Sequence, residues 1–149
     1  MRVALDTNVL GYAEGVNGAT MRESALALIE DLPPSAVILP VQILGELFGL
    51  LVRKAGRAPA QARLAIMSWR DAFEVAETTE PVMVSALDLA IDHQIGIWDA
   101  VVLAAAAEAD CRLVLSEDLK DGFVWRGITV TNPFAASRHP LLTGLLKTR

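Results

Sequence analysis

Asp6, Glu46 and Asp99 are each the only charged residue in a long apolar stretch. Asp6 is alone in Val3-Ala4-Leu5-Asp6-Thr7-Asn8-Val9-Leu10-Gly11-Tyr12-Ala13, Glu46 between Leu32 and Val52, and Asp99 from Gln94 to Ala107. Stretches this apolar are expected to be buried, and a buried ionised carboxylate is costly unless something pairs with it. No Lys or Arg lies within the three stretches to do so locally. A divalent cation held by several acids together is the natural partner. Hard cations such as Mg²⁺ and Mn²⁺ prefer oxygen ligands. Bound to such a set they polarise a phosphate oxygen and lower the pKa of a bound water, which is the chemistry of phosphodiester hydrolysis.

The acids can act together only if the fold gathers them. Arg2 to Leu5 reads as a short strand ending at Asp6, with Thr7 to Ala13 turning into helix. Thr20-Met21-Arg22-Glu23 matches a capping box that opens a helix closed by Pro33-Pro34. Ala36 to Leu39 is a second strand. Pro40 then suits the first turn of a helix over Val41 to Lys54, apolar nearly all round and so expected to be buried. Further helices are expected over Ala60 to Ala72, Glu80 to His93 (broken by Gly96) and Ile97 to Glu108. Strands are expected over Phe73 to Ala76, Arg112 to Leu115 and Ile128 to Thr131. Short apolar strands alternating with helices imply a mostly parallel sheet covered on both faces. Ligands of such sheets bind at the carboxyl ends of the strands. Asp6 follows one strand there, and Ser116, Glu117 and Asp118 follow another.

Composition narrows the class. The chain has 149 residues, 53% of them hydrophobic, and a mean hydropathy of +0.41, which suits one domain with a sizeable core. No apolar run approaches the roughly 18 residues of a membrane span, and the start is too soon acidic for a signal peptide. The lone Cys111 excludes an internal disulfide framework or a zinc-finger set, and fits a small buried residue in a reducing cytoplasm. A net charge of -5 opposes non-specific nucleic-acid binding by overall field. Local charge differs from that average. Arg53, Lys54, Arg57 and Arg63 form one basic cluster, and Arg126, Arg138, Lys147 and Arg149 follow the last acid. Each is either a phosphate-contacting surface or a solvated helix end or tail.

Four blocks together carry a resemblance: Asp6-Thr7-Asn8-Val9-Leu10, Glu46 on its apolar helix, Ile97-Trp98-Asp99-Ala100, and Leu113-Val114-Leu115-Ser116-Glu117-Asp118-Leu119. In this order and spacing they resemble the PIN-domain family, and within it the VapC-type ribonuclease toxins of toxin–antitoxin pairs. The resemblance runs from Met1 to about Phe134. It implies a three-layer α/β/α sandwich over residues 1–134, with 135–149 a C-terminal extension. It implies Mg²⁺- or Mn²⁺-dependent endoribonuclease action in the cytoplasm on an RNA substrate, a small antitoxin partner and a homodimer, with no membrane. Carried over by position, Asp6, Glu46, Asp99 and Asp118 would be catalytic metal ligands. Asn8 and the Ser116 hydroxyl would support them. Thr7 is either a supporting hydroxyl or a turn residue, Glu117 either joins the acids or faces solvent, and Asp121 is a second candidate for the place of Asp118.

Each acid also has a plainer reading. Asp6 could cap the helix after it, and Asp99 could be a dipole-favoured acid in a first helical turn. Glu46, flanked by Ile43, Leu47 and Leu50, has the least reason to be there without a ligand. Trp69, Trp98 and Trp125 read as packing residues, and His93 and His139 as surface positions without ligand spacing. Other functions fit the same chain: a PIN nuclease of RNA processing without toxicity, a non-catalytic binding module on that fold, or a phosphoryl-transfer receiver or phosphatase. The last class usually needs a nearby Lys, and none occurs between Met1 and Arg53 or between Gly56 and Asp118.

Overall fold

In strands Arg2–Leu5 (β1), Val37–Pro40 (β2) and Cys111–Leu115 (β4), alternate side chains go to opposite faces, and apart from Arg2 and Arg112 near the strand starts both sets are apolar. Val3, Leu5, Val37, Leu39, Leu113 and Leu115 enter one core, while Ala4, Ile38 and Val114 enter a second. A sheet with two apolar faces must be covered on both, and the computed structural model shows that sandwich over the described residues, 1–146. The six strands run in the order β3-β2-β1-β4-β6-β5, with β3 at Glu74–Ala76, β5 at Val124–Trp125 and β6 at Ile128–Thr131. Every pairing is parallel except β5 with β6.

Helices Thr7–Ala13 (α1), Ala19–Asp31 (α2), Val41–Arg53 (α3) and Pro59–Ala72 (α4) contribute to the first core. Helices Glu80–His93 (α5) and Ile97–Glu108 (α6) cover the other face. In α6 every residue from Ala100 to Ala106 is buried; its alanines let the helix sit close on the sheet. Gly11 serves the same end between helices, because a Cβ there would stand 2.7 Å from Leu50 Cδ2. A larger residue there would make the Leu50 side chain move aside.

The expected elements are present, with instructive differences. The capping box at Thr20 and Glu23 does not form. The N-cap is Gly18, with no side-chain cap bond, and Thr20 already lies inside the helix. Gly18 takes φ 89°, a left-handed turn open to glycine that starts the helix early. Helix α3 is not buried all round: Ile43, Leu47 and Leu51 face inward, whereas Val41, Gly45, Glu46 and Phe48 are exposed. Gly96 does not break α5, which ends on Gln94 at φ 54°; Gly96 is instead the N-cap of α6. A short helix, Pro140–Leu145 (α7), buries Leu142 in the first core. Lys147, Thr148 and Arg149, the end of the expected extension and its basic tail, lie outside the described residues.

Cys111 lies buried in β4, and desolvation pushes its thiol up to about 12. A thiol held protonated inside a strand does not react. We expect a disulfide reagent to label the native protein only at the rate of unfolding, and to label it at once in denaturant. Immediate labelling of the native protein would show that β4 opens locally.

Candidate active site

β1 and β4 are neighbours in parallel register, Leu5 opposite Leu115, so the residues that follow them emerge together. The Asp6 backbone N–H donates to Leu115 O at 3.0 Å. At this switch point α1 leaves to one side and the Ser116–Leu119 turn to the other. Asp6 caps α1, accepting from Thr7 N at 2.8 Å through Oδ1. Its Oδ2 accepts from Ser116 Oγ at 2.7 Å and from Asn8 Nδ2 at 3.3 Å. The cap and the cluster are thus one arrangement.

Asn8 and Ser116 hold the two chain segments together. Asn8 Nδ2 lies 3.2 Å from Ser116 Oγ and 3.3 Å from Asp118 Oδ2, and its Oδ1 accepts from Glu117 N at 3.1 Å. Ser116 is fully buried, and its Oγ accepts from Asp118 N and Leu119 N. The turn is fixed by these bonds, and Asp118 faces Asp6 across Asn8. Glu117 points away from that cluster and accepts from Tyr12 Oη at 2.6 Å. Asp121 also serves the local fold, accepting from Asn132 N at 3.0 Å.

Glu46 and Asp99 approach from the helices. Thr7 Oγ1 donates to Glu46 Oε2 at 3.4 Å, linking α1 to α3. Gln42, one turn before Glu46 on α3, donates to Glu46 Oε1 at 2.7 Å and to Trp98 O at 2.9 Å. It therefore ties Glu46 to the start of α6, where Asp99 sits. Sequence reasoning passed over Gln42; its i,i+4 spacing from an isolated helical acid was the available signal.

Only Asp6 among these acids is buried, at 6% exposure; Glu46, Asp99 and Asp118 stand open to solvent at its rim. The expectation that all three isolated acids are buried is corrected. A helix in an apolar stretch still has an outer face, and Glu46 lies on it. The electrostatics are nevertheless shared. Burial pushes Asp6 up to about 6, against the lowering effect of its bonds from Ser116 and Thr7, and Glu46 and Asp99 add to the rise. Asp99 is exposed as a residue, but partial desolvation of its carboxylate, then Glu46 and Asp118, raise it above the usual carboxylate range. Among the described residues no ion pair neutralises any of the four. Nor do three acids, histidines or cysteines among them stand close enough, as they are, to hold a metal ion. The donor set itself is all oxygen, which suits a hard cation.

A cleft of about 470 Å³ opens beside the acids, walled by α1 and α3 and reaching from Asn8, Glu46 and Asp118 to Arg53 and Lys54. Trp98 is 60% exposed and does not pack as expected, whereas Trp69 stacks on Phe73 and donates to Glu14. His93 is exposed, with its ring edge against Phe123.

Comparison with known proteins agrees with this architecture. The family model described as PIN domain matches residues 3–121, which include all four blocks. No curated protein matches the chain. Among solved structures, the toxin VapC20 of Mycobacterium tuberculosis, described as cleaving the sarcin–ricin loop, is 21% identical. That match covers 78% of this chain and 91% of the other at a TM-score of 0.66. A toxin–antitoxin complex from Klebsiella pneumoniae is 20% identical, covering 89% and 98%, with a TM-score of 0.66. FitAcB from Neisseria gonorrhoeae is 19% identical, covering 89% and 98%, also at 0.66. At these identities the likeness is one of fold.

Proposed function

Because the chain belongs to the PIN-domain family, we propose that it is a metal-dependent endoribonuclease and the toxin of a toxin–antitoxin pair. The observation that carries the reading is the carboxylate edge: Asp6 locked by Ser116, Thr7 and Asn8, with Glu46, Asp99 and Asp118 around it and no cation paired to any of them among the described residues. Residues 1–134 form the nuclease domain in this reading, and 135–149 the extension that docks Leu142 on its core.

Asp6, Glu46, Asp99 and Asp118 would hold Mg²⁺ or Mn²⁺. Such an ion supplies Lewis-acid activation of a phosphate oxygen and of a water. The chain's own residues do the rest. Ser116 and the Thr7 N–H fix both oxygens of Asp6, so its orientation costs nothing when substrate arrives. Asn8 holds the turn that presents Asp118, while Tyr12 holds Glu117 out of the cluster. Gln42 sets the spacing between Glu46 and the helix bearing Asp99.

The partner reading draws on the toxin–antitoxin complexes among the similar structures. A small antitoxin would lay an apolar helix on the toxin and direct a basic side chain at the acids, since an arginine pairs bidentately with a carboxylate. A homodimer is supported by Val84, Leu87 and Ile91, an apolar stripe exposed along α5, and by exposed Trp98. No helix among the described residues is long and apolar enough to cross a membrane.

Growth is the first test. Expression of the chain alone in bacteria should arrest growth, co-expression with its genomic neighbour should restore it, and Asp99→Asn should be harmless. If the wild type at matched levels is equally harmless and no small protein co-purifies with it, the toxin reading gives way to a processing nuclease.

A further inference from the structure

Of the basic residues in the 53–63 cluster, the fold commits one elsewhere and leaves two lining the cleft beside the acids. Arg57 donates to the Glu14 carboxylate and to the Glu14 backbone oxygen, both at 2.7 Å, which locks α1 to the start of α4. Arg63 lies exposed on α4, away from the cleft. Arg53 and Lys54 line the same cleft as Glu46 and Asp118. Among the described residues no carboxylate forms an ion pair with either. Arg53 is seven residues after Glu46 on α3, hence on the same face and two turns away, about 10 Å along the axis.

The direction of Arg53 sharpens the picture. A Cβ at Gly49 would stand 3.0 and 3.1 Å from its two terminal nitrogens. The guanidinium therefore folds back one turn over Gly49, toward Glu46. Glycine is a poor choice inside a helix; at this position it leaves the space the guanidinium occupies. The cleft thus has an acidic part and, two turns further along α3, a basic part, and Tyr12, Val16 and Leu50 also line it.

We propose that Arg53 and Lys54 are a binding site for the ribose-phosphate backbone of single-stranded RNA, taking phosphates beyond the one presented to the acids. The site rests on the nuclease reading for its orientation, but its binding is measurable apart from cleavage. A planar guanidinium matches two phosphate oxygens, and Lys54 adds a second, freely rotating charge. It also explains how a chain of net charge -5 could hold a polyanion against its own field. The acidic end repels RNA unless neutralised, so the basic end would supply the attraction.

The test is anisotropy of a labelled single-stranded RNA with the full chain in chelator, titrated over about 50 to 200 mM salt. Arg53→Gln and Lys54→Gln should each weaken binding roughly fivefold, the Boltzmann factor of one unit-charge contact at about 4 Å in water. Each should also lower the slope of log K against log salt by about 0.7. Arg70→Gln, which removes an exposed charge outside the cleft, should leave the slope alone. Unchanged slopes in both cleft variants, or an equal loss in Arg70→Gln, would overturn the site. If the cleft variants bind RNA normally but no longer capture the co-expressed neighbour, the occupant is an acidic protein segment and the RNA proposal falls. Failure of the wild type to cleave any RNA with Mn²⁺, while the slopes change as stated, would remove the nuclease reading and leave this site standing. Intact cleavage with unchanged KM and slopes in both cleft variants would do the reverse.

Discussion

Asp6→Asn, Glu46→Gln and Asp99→Asn should each lower RNA cleavage in Mn²⁺ by about a hundredfold or more, the scale of removing one preorganised charge at a reacting centre. The motive is geometric. Four acids from four segments surround one edge of the sheet, and each of the three targeted here touches or perturbs another: Asp6 feels Glu46 and Asp99, and Asp99 feels Glu46 and Asp118. Ligands of one ion act as a unit, so double variants should be scarcely worse than single ones. Asp118→Asn should lose less, because an Asn there can still accept from Asn8 Nδ2 while the backbone bond of residue 118 to Ser116 Oγ holds the turn. Circular dichroism should stay unchanged for Glu46→Gln and Asp99→Asn, both exposed. Single-turnover cleavage of a defined RNA, with chelator as the blank, measures the loss. Full activity in Asp99→Asn would end the metal-site assignment.

Without metal, the same cluster should make the protein less stable as pH rises. Asp6 ionises at about 6 in the fold and near 3.8 when unfolded, so the folded state binds the proton more tightly. The sign follows from proton counting. The contribution is fully favourable below about 4 and is lost as pH climbs through 6, because the unfolded chain gives up its proton first. The gap corresponds to about 3 kcal/mol, and the raised Asp99 acts in the same direction. Asp6→Asn has no proton to lose there. In chelator, its stability relative to wild type should therefore improve by about 3 kcal/mol between pH 4 and pH 8, whatever its offset at low pH from altered bonds to Ser116 and Thr7. Mn²⁺ at a hundredfold excess over Kd should stabilise the wild type by about 2.7 kcal/mol and leave Asp6→Asn unmoved. Denaturant melts at the two pH values, with and without Mn²⁺, decide it. Parallel pH profiles, or an equal Mn²⁺ shift in both proteins, would contradict the account.

Much of the fold was legible because its signals are local. Alternating and continuous apolar strands, Pro40 opening α3, Pro33-Pro34 closing α2 and the alanine run of α6 each act over a few residues, and the structure has these elements where they were expected. The local signals that failed also failed for physical reasons. Thr20 and Glu23 had the types of a capping box, but Gly18 could take a left-handed φ and began the helix earlier. The two-residue strand β5 and helix α7 are too short to carry periodicity, and they exist because β6 and the first core are there to receive them.

The candidate site divides along the same line. By itself the sequence determined which residues could do chemistry: isolated acids, the Asp-Thr-Asn start and the Ser-Glu-Asp turn are statements about residue types and spacing. Only the tertiary structure decided which of them share an environment. Parallel pairing of β1 with β4 put Asp6 beside Ser116, 110 positions away. The bond from Asn8 turned Asp118 toward Asp6, and the bond from Tyr12 turned Glu117 away from it. Burial, too, was settled in three dimensions: Glu46 and Asp99 stand in apolar sequence yet on exposed helix faces, and Asp6 alone is enclosed. The reason is that hydrophobic patterning fixes which side of an element turns inward, but a carboxylate's desolvation and its neighbours' fields depend on distances of a few ångströms between segments far apart in the chain.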